Sequence, residues 1–138
     1  MPGADDPYEV MYAKLGQETD VVPGQEFLRG VPKPVRARMF AVLIEVAKAP
    51  PHRFAGGGYW EAMHGKMAGW YEVRIDFQRR HYRLCCLLEG PRQGHKQAVL
   101  AIVCGLSKPF GTIFRESEYQ GVRLLGDQFR RSHPRLYA

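Results

Sequence analysis

Two stretches of alternating apolar and polar residues stand almost back to back and constrain the fold more than any other feature of the chain. In 70–77, Tyr71, Val73, Ile75 and Phe77 alternate with Trp70, Glu72, Arg74 and Asp76. In 81–88, Tyr82, Leu84, Cys86 and Leu88 alternate with His81, Arg83, Cys85 and Leu87. Period two marks a strand with one buried face, and the short polar gap makes the pair an antiparallel hairpin. Both strands must turn their apolar sets to the same side, so paired residue numbers sum to an odd value. A two-residue loop at Gln78–Arg79 sets that sum at 157 and brings Arg74 directly opposite Arg83. Sums of 155 or 159 leave the two arginines diagonal.

Like charges facing each other cost a sheet a few tenths to ~1 kcal/mol. The repulsion is relieved either by Glu72 and Asp76 on the same face, as a self-neutralising ladder, or by a bound anion. Two guanidiniums on a rigid strand suit a phosphate, which they grip bidentately. Arg79, Arg80 and His81 crowd the turn and add positive charge. Trp70 on the polar face is either a stacking platform for a base or a cover for the core edge. His81 is a candidate general acid or base, because a histidine titrates near working pH. Lys108 opens the loop after the most apolar strand.

The remaining chain supplies the layers. A short strand is expected at Tyr8–Ala13 and a helical turn at Gln25–Arg29. Val35, Met39, Val42, Leu43 and Val46 form a helix-period stripe over 33–48, stopped by Pro50 and Pro51. Gly56, Gly57 and Gly58 lack the sequence context of a phosphate-binding loop and read as a linker, with a short strand or turn at Tyr59–Met63. "EGPRQGHK" is a turn. "QAVLAIVCGL" is an unbroken apolar strand, covered on both faces. Tyr119, Val122, Leu125 and Phe129 give a last helix over 117–131, with Ser117 as N-cap. The expectation is an α+β domain with helices on one sheet face and the other face partly open.

At 138 residues the chain reads as one domain, 1–138, whose first 24 residues are a polar, acidic N-terminal extension. Residues 1–30 hold two Lys/Arg against six Asp/Glu, a balance of −4; the rest holds 18 against 8, or +10. A body that basic favours an acidic partner, nucleic acid first and an acidic protein second. Cys85, Cys86 and Cys104 have neither disulfide-framework nor zinc-ligand spacing and read as small core residues in a reducing cytoplasm. No apolar run has membrane-spanning length, and no secretory signal is legible. No metal or other cofactor is expected.

In "MHGKMAGWYEVRI", "HYRLCC" and "VLAIVCGLSKP", followed by an amphipathic helix, the chain resembles the RelE/ParE toxin superfamily. The nearer likeness is to the HigB-like branch of phage-derived Gp49-like toxins. The motifs are Gly69, Tyr71–Glu72–Val73–Arg74, Tyr82–Arg83–Leu84 and Gly105–Leu106–Ser107–Lys108, spread over roughly residues 25 to 130. The resemblance implies a RelE-like α+β fold, with N-terminal helices packed on a three- to four-stranded antiparallel sheet and a C-terminal helix. It implies the toxin of a type II toxin–antitoxin system, restrained by a cognate antitoxin protein. Such a toxin is a metal-independent endoribonuclease that cleaves mRNA on the ribosome by 2′-hydroxyl attack on the phosphate. Carried over by position, Arg83, Arg74 and Lys108 are the catalytic residues; the chemistry of the hairpin adds His81 to that set and Arg79, Arg80 and Trp70 as RNA-binding residues. Pro109 stands where some members carry an arginine, and a functional tyrosine of the family falls at Phe114 or Arg115, one helical turn before Tyr119. Two alternatives keep the fold: a ParE-like toxin that inhibits gyrase, and an RNA-binding domain with weakened catalysis.

Overall fold

A computed structural model describes residues 7–48, 58–91 and 96–138. Its centre is a five-stranded mixed sheet in the order β1-β5-β4-β3-β2. The strands are β1 (Tyr8–Tyr12), β2 (Trp60–Ala62), β3 (Trp70–Phe77), β4 (Arg80–Glu89) and β5 (Ala98–Pro109). The helices are α1 (Pro23–Gly30), α2 (Lys33–Lys48) and α3 (Glu116–Arg130).

The hairpin has the sum-157 register, with Trp70 opposite Leu87, Arg74 opposite Arg83 and Phe77 opposite Arg80. Its two-residue loop places both Gln78 (φ 48°) and Arg79 (φ 62°) in the left-handed region. That is the requirement of a type I′ turn, whose twist matches the flanking strands. The amide of Phe110 clamps the turn by donating to the Arg79 carbonyl at 2.8 Å.

The sheet departs from the expected three or four antiparallel strands at both edges. The short segments 8–12 and 60–62 each find a partner, and β1 runs parallel to β5. The long crossover through α1 and α2 permits that direction. Beyond β1 the C-terminal tail covers the sheet edge: Lys14 donates to the Leu136 carbonyl at 2.9 Å, and Ala138 donates to Tyr12 at 3.0 Å.

The helices do not share one face. Leu28 of α1 and Val35, Met39, Leu43 and Val46 of α2 pack with Val73, Ile75, Leu84 and Cys86 on one side. Val122 and Phe129 of α3 pack with Trp70, Cys85, Leu87, Val99 and Ala101 on the other. β5 is accordingly buried on both faces, and so are all three cysteines, which are free thiols. What α3 leaves uncovered is the end of its face beside the hairpin turn. Close approach decides two glycines. A Cβ on Gly105 would lie 2.1 Å from the Phe27 ring, and one on Gly126 would lie 2.3 Å from Trp70.

Candidate phosphate-binding site

The site is built from three rungs of the sheet on the α3 side. The first rung is Asp76, His81 and Lys108; the second is Arg74, Arg83 and Leu106; the third is Glu72, Cys85 and Cys104. Alternation along each strand puts all of these on one face, because the intervening residues belong to the opposite core. Arg74, Arg83, His81 and Lys108 are therefore brought together from three adjacent strands, although 25 residues separate Arg83 from Lys108.

Each cation already holds a carboxylate. Arg74 Nε donates to Glu72 Oε1 at 2.7 Å. Arg83 Nη1 donates to Asp76 Oδ1 at 3.2 Å and to the Tyr82 carbonyl at 3.0 Å. His81 Nδ1 lies 2.8 Å from the same Asp76 oxygen. Lys108 Nζ pairs with Glu118 and donates to the Ile113 carbonyl at 2.9 Å. The self-neutralising ladder is thus present: Glu72 and Asp76 offset the repulsion between the arginines without a bound anion. Burial alone would raise the Asp76 carboxyl, but hydrogen bonds from His81 and Arg83 outweigh it and hold the group below the usual range.

Aromatic rings close the site. The Phe114 ring centroid lies 5.8 Å from the Arg83 guanidinium and 5.9 Å from Lys108 Nζ, within cation–π range of both. Phe110 tilts against His81 with ring centroids 4.6 Å apart. Tyr119, one turn into α3, lies 6.2 Å from Phe114. Burial, reinforced by the nearby Glu72 carboxylate and Cys85, pushes the Tyr119 hydroxyl up to about 12, so it stays protonated at neutral pH. The first turn of α3 begins at Glu116 rather than behind Ser117. Arg115 precedes it, and its amide donates to Glu118 Oε1 at 3.2 Å, so one carboxylate serves both the helix end and Lys108.

Three residues expected here lie elsewhere. Trp70 is buried at 7% exposure beneath Gly126 and beside Leu87, so its ring cannot stack on a base. Arg80 faces the α1–α2 side, where its Nε donates to Ser107 Oγ at 3.1 Å. Arg79 is exposed at the turn, on the rim. Conversely, alternation assigned Glu72 to an open polar face, and it is 2% exposed. Glu118 was not legible as a site residue, the acidic residues in the first turn of a helix being the available signal; Phe114 is one of the two positions to which the resemblance brings a functional tyrosine.

A cleft of about 270 Å³ adjoins the rungs, lined by His64, Lys66, Met67, Glu72, Arg74 and Tyr119 among others. Behind it, Glu72 Oε2 is a buried side-chain oxygen without a hydrogen-bond partner among the described residues. The described residues contain no cluster of His, Cys, Asp or Glu arranged to hold a metal, and no helix among them is long and apolar enough to cross a membrane.

No family model and no curated protein matches the chain. A solved toxin–antitoxin complex, RelBE2 from Mycobacterium tuberculosis, is similar at 18% identity and a TM-score of 0.35, over 74% of this chain and 99% of that one. A likeness that distant does not establish a family.

Proposed function

We propose that the chain is the toxin of a type II toxin–antitoxin pair and acts as an endoribonuclease on mRNA. The observation that carries the reading is the convergence of Arg74, Arg83, Lys108 and His81 on two neighbouring rungs of one sheet face. Its motifs also resemble those of the RelE-like, HigB-like toxins. A phosphate entering this face replaces Asp76 and Glu118 as the acceptor for Arg83 and Lys108. The 2′-hydroxyl of the substrate attacks the adjacent phosphorus. The O2′–P bond forms, the P–O5′ bond breaks, and the products are a 2′,3′-cyclic phosphate and a 5′-hydroxyl. His81, oriented through Nδ1 by Asp76, has Nε2 to accept the 2′-hydroxyl proton, and the leaving oxygen is protonated by solvent. Arg83 and Lys108 stabilise the charge that develops on the phosphate, so the step calls for no metal ion. Arg79 on the rim and Arg74 position the RNA strand, and the ribosome presents it.

One observation favours a second reading, an RNA-binding domain of the same fold with weakened catalysis. Lys108 is held by both Glu118 and the Ile113 carbonyl, and Pro109 follows it. Induction of the chain alone in a bacterial host, with primer extension on abundant transcripts, separates the two. Growth arrest with new cleavage sites that vanish in Arg83→Ala supports the toxin. RNA binding without arrest or cleavage leaves the second reading, and arrest without cleavage points to a protein target such as gyrase.

A further inference from the structure

We infer that Tyr59 and Phe110 are stacking platforms for two unpaired bases of one RNA strand, one on either side of the phosphate gripped by Arg74 and Arg83. This rests on the RNA-directed reading of the same sheet face and names the groups that hold the bases.

Tyr59 extends the second rung. The Arg74 amide donates to the Tyr59 carbonyl at 2.9 Å, which continues the register in which Trp60 faces Val73 and Glu61 faces Glu72. Trp60 is buried at 2% exposure on the α1–α2 side, its ring stacked on Tyr71 at 5.1 Å. Alternation turns the residue before it to the opposite face, beside Arg74. β2 is the last strand of the sheet, and Tyr59 is 65% exposed at that margin. The Gly58 amide also donates to Glu61 Oε1 at 3.0 Å, so the backbone on both sides of Tyr59 is fixed before a ligand arrives.

Phe110 stands at the other border. Its amide is tied to the Arg79 carbonyl, its ring tilts against His81, and it is 42% exposed. Exposed apolar residues scattered singly are ordinary on a protein surface. Their distribution here is not: among the described residues the exposed Phe, Tyr and Trp side chains are these two, and both border the cationic rungs.

Every base has a π-face, so aromatic rings beside phosphate-binding cations hold single-stranded RNA with little regard to sequence. Tyr59 precedes β2 and Phe110 follows β5, three strand spacings or roughly 14 Å apart. One base cannot touch both rings. Each ring therefore takes its own base, and the strand crosses Arg74 and Arg83 between them. Bases splayed onto separate platforms leave each other's stack. The backbone between them is then free to bring the 2′-oxygen in line with the bond that breaks.

The test uses the purified full-length chain and a fluorescein-labelled 2′-O-methyl RNA hexanucleotide, in which the attacking hydroxyl is blocked. Fluorescence anisotropy gives the affinity. A matching probe with abasic residues should bind the unaltered chain at least about tenfold more weakly. Tyr59→Ala and Phe110→Ala should each weaken binding of the intact probe about tenfold, the scale of one lost base stack. That factor should be the same at low and high salt, because no phosphate contact is removed. Tyr59→Trp should bind at least as tightly as the natural chain. Equal affinity for the intact and abasic probes, or no binding of either, overturns the proposal without any variant. An effect of Tyr59→Ala that vanishes at high salt, or natural affinity in both alanine variants, overturns it as well. Base-dependent binding in a chain that cleaves no RNA on induction would sustain the platforms while removing the nuclease reading. Cleavage by a chain whose affinity ignores both rings would do the reverse.

Discussion

Arg74 and Arg83 face each other across the β3–β4 hairpin, and each is turned aside by its own carboxylate, Glu72 for the first and Asp76 for the second. The two carboxylates are not equivalent. Glu72 is buried, whereas the Asp76 side chain is 50% exposed and holds His81 as well. An incoming phosphate competes with Asp76 from solvent, but it must leave the Arg74–Glu72 pair in place.

Asp76→Asn should therefore raise RNA affinity while changing stability by less than about 1 kcal/mol, the usual worth of an exposed ion pair. Fluorescence anisotropy with a short RNA over a range of salt concentrations checks this. The slope of log affinity against log salt should steepen, because a phosphate now takes the place of the internal carboxylate. If His81 acts as the base, cleavage should fall in the same variant, since its imidazole loses the group that orients it.

The type I′ turn carries Gln78 and Arg79 at positive φ, where Asn-Gly is the easier pair. Replacing Gln78–Arg79 by Asn-Gly should stabilise the chain by about 1–2 kcal/mol, the left-handed penalty of one or both non-glycine residues. Thermal melting measures the gain. RNA affinity should fall in the same protein, because a rim cation is lost.

The two glycines of α3 should respond in opposite directions. Gly121 has no atom within 4 Å of its missing Cβ, so Gly121→Ala should stabilise by up to ~1 kcal/mol. Gly126→Ala drives a methyl into the Trp70 ring and should destabilise by about 1–3 kcal/mol despite the better helix propensity. Trp70→Ala should cost about 3–5 kcal/mol and leave the RNA affinity of the folded fraction unchanged. Denaturant unfolding with an RNA titration distinguishes these outcomes.

Glu89, 1% exposed at the end of β4, ties α3 and the tail to the sheet. It accepts from Arg130 Nη2 at 2.8 Å and from Arg135 Nε at 2.6 Å. Burial would raise its carboxyl, but these two guanidiniums override that and hold it below its ordinary value. A depressed carboxylate contributes stability above its unfolded pKa, near ~4.3, and loses it as pH falls through the folded value. The melting temperature should therefore drop below about pH 4 more steeply in the natural chain than in Glu89→Gln. At neutral pH that variant should be less stable by about 3 kcal/mol, the low end for a broken buried pair because Arg130 stays partly in solvent.

The hairpin and the helix over 33–48 were legible because local periodicity encodes them, and the register was narrowed to three possibilities, of which the structure has the one with the two-residue loop. Alternation with one buried face, joined to a two-residue loop, admits few registers. The grouping of Arg74 with Arg83 on one face followed from that alone, whereas the α+β class needed the order of all the elements. The edge strands were harder. Tyr8–Tyr12 is short and not strictly alternating, and its parallel pairing to β5 depends on a crossover that no local pattern records.

Face assignment was the main failure of local reading. Trp70 and Glu72 sit at polar-phase positions, and alternation left that face open. The packing of α3 against the same rungs buries both, and Gly126 makes room for the indole. Polarity therefore stopped reporting exposure wherever a second layer arrived. The same layer delivered Glu118 and Phe114 to Lys108 and Arg83, contacts between segments remote in sequence.

By itself the sequence determined that the two central strands form a hairpin, which of their residues share a face and how much cationic charge that face carries, since these depend on neighbours close in sequence. Only the tertiary structure decided which of those charges meet a carboxylate, which aromatic is buried and which buried oxygen is left without a donor. Those outcomes depend on how α3 lies across the sheet, and the packing that sets its position is a property of the whole chain.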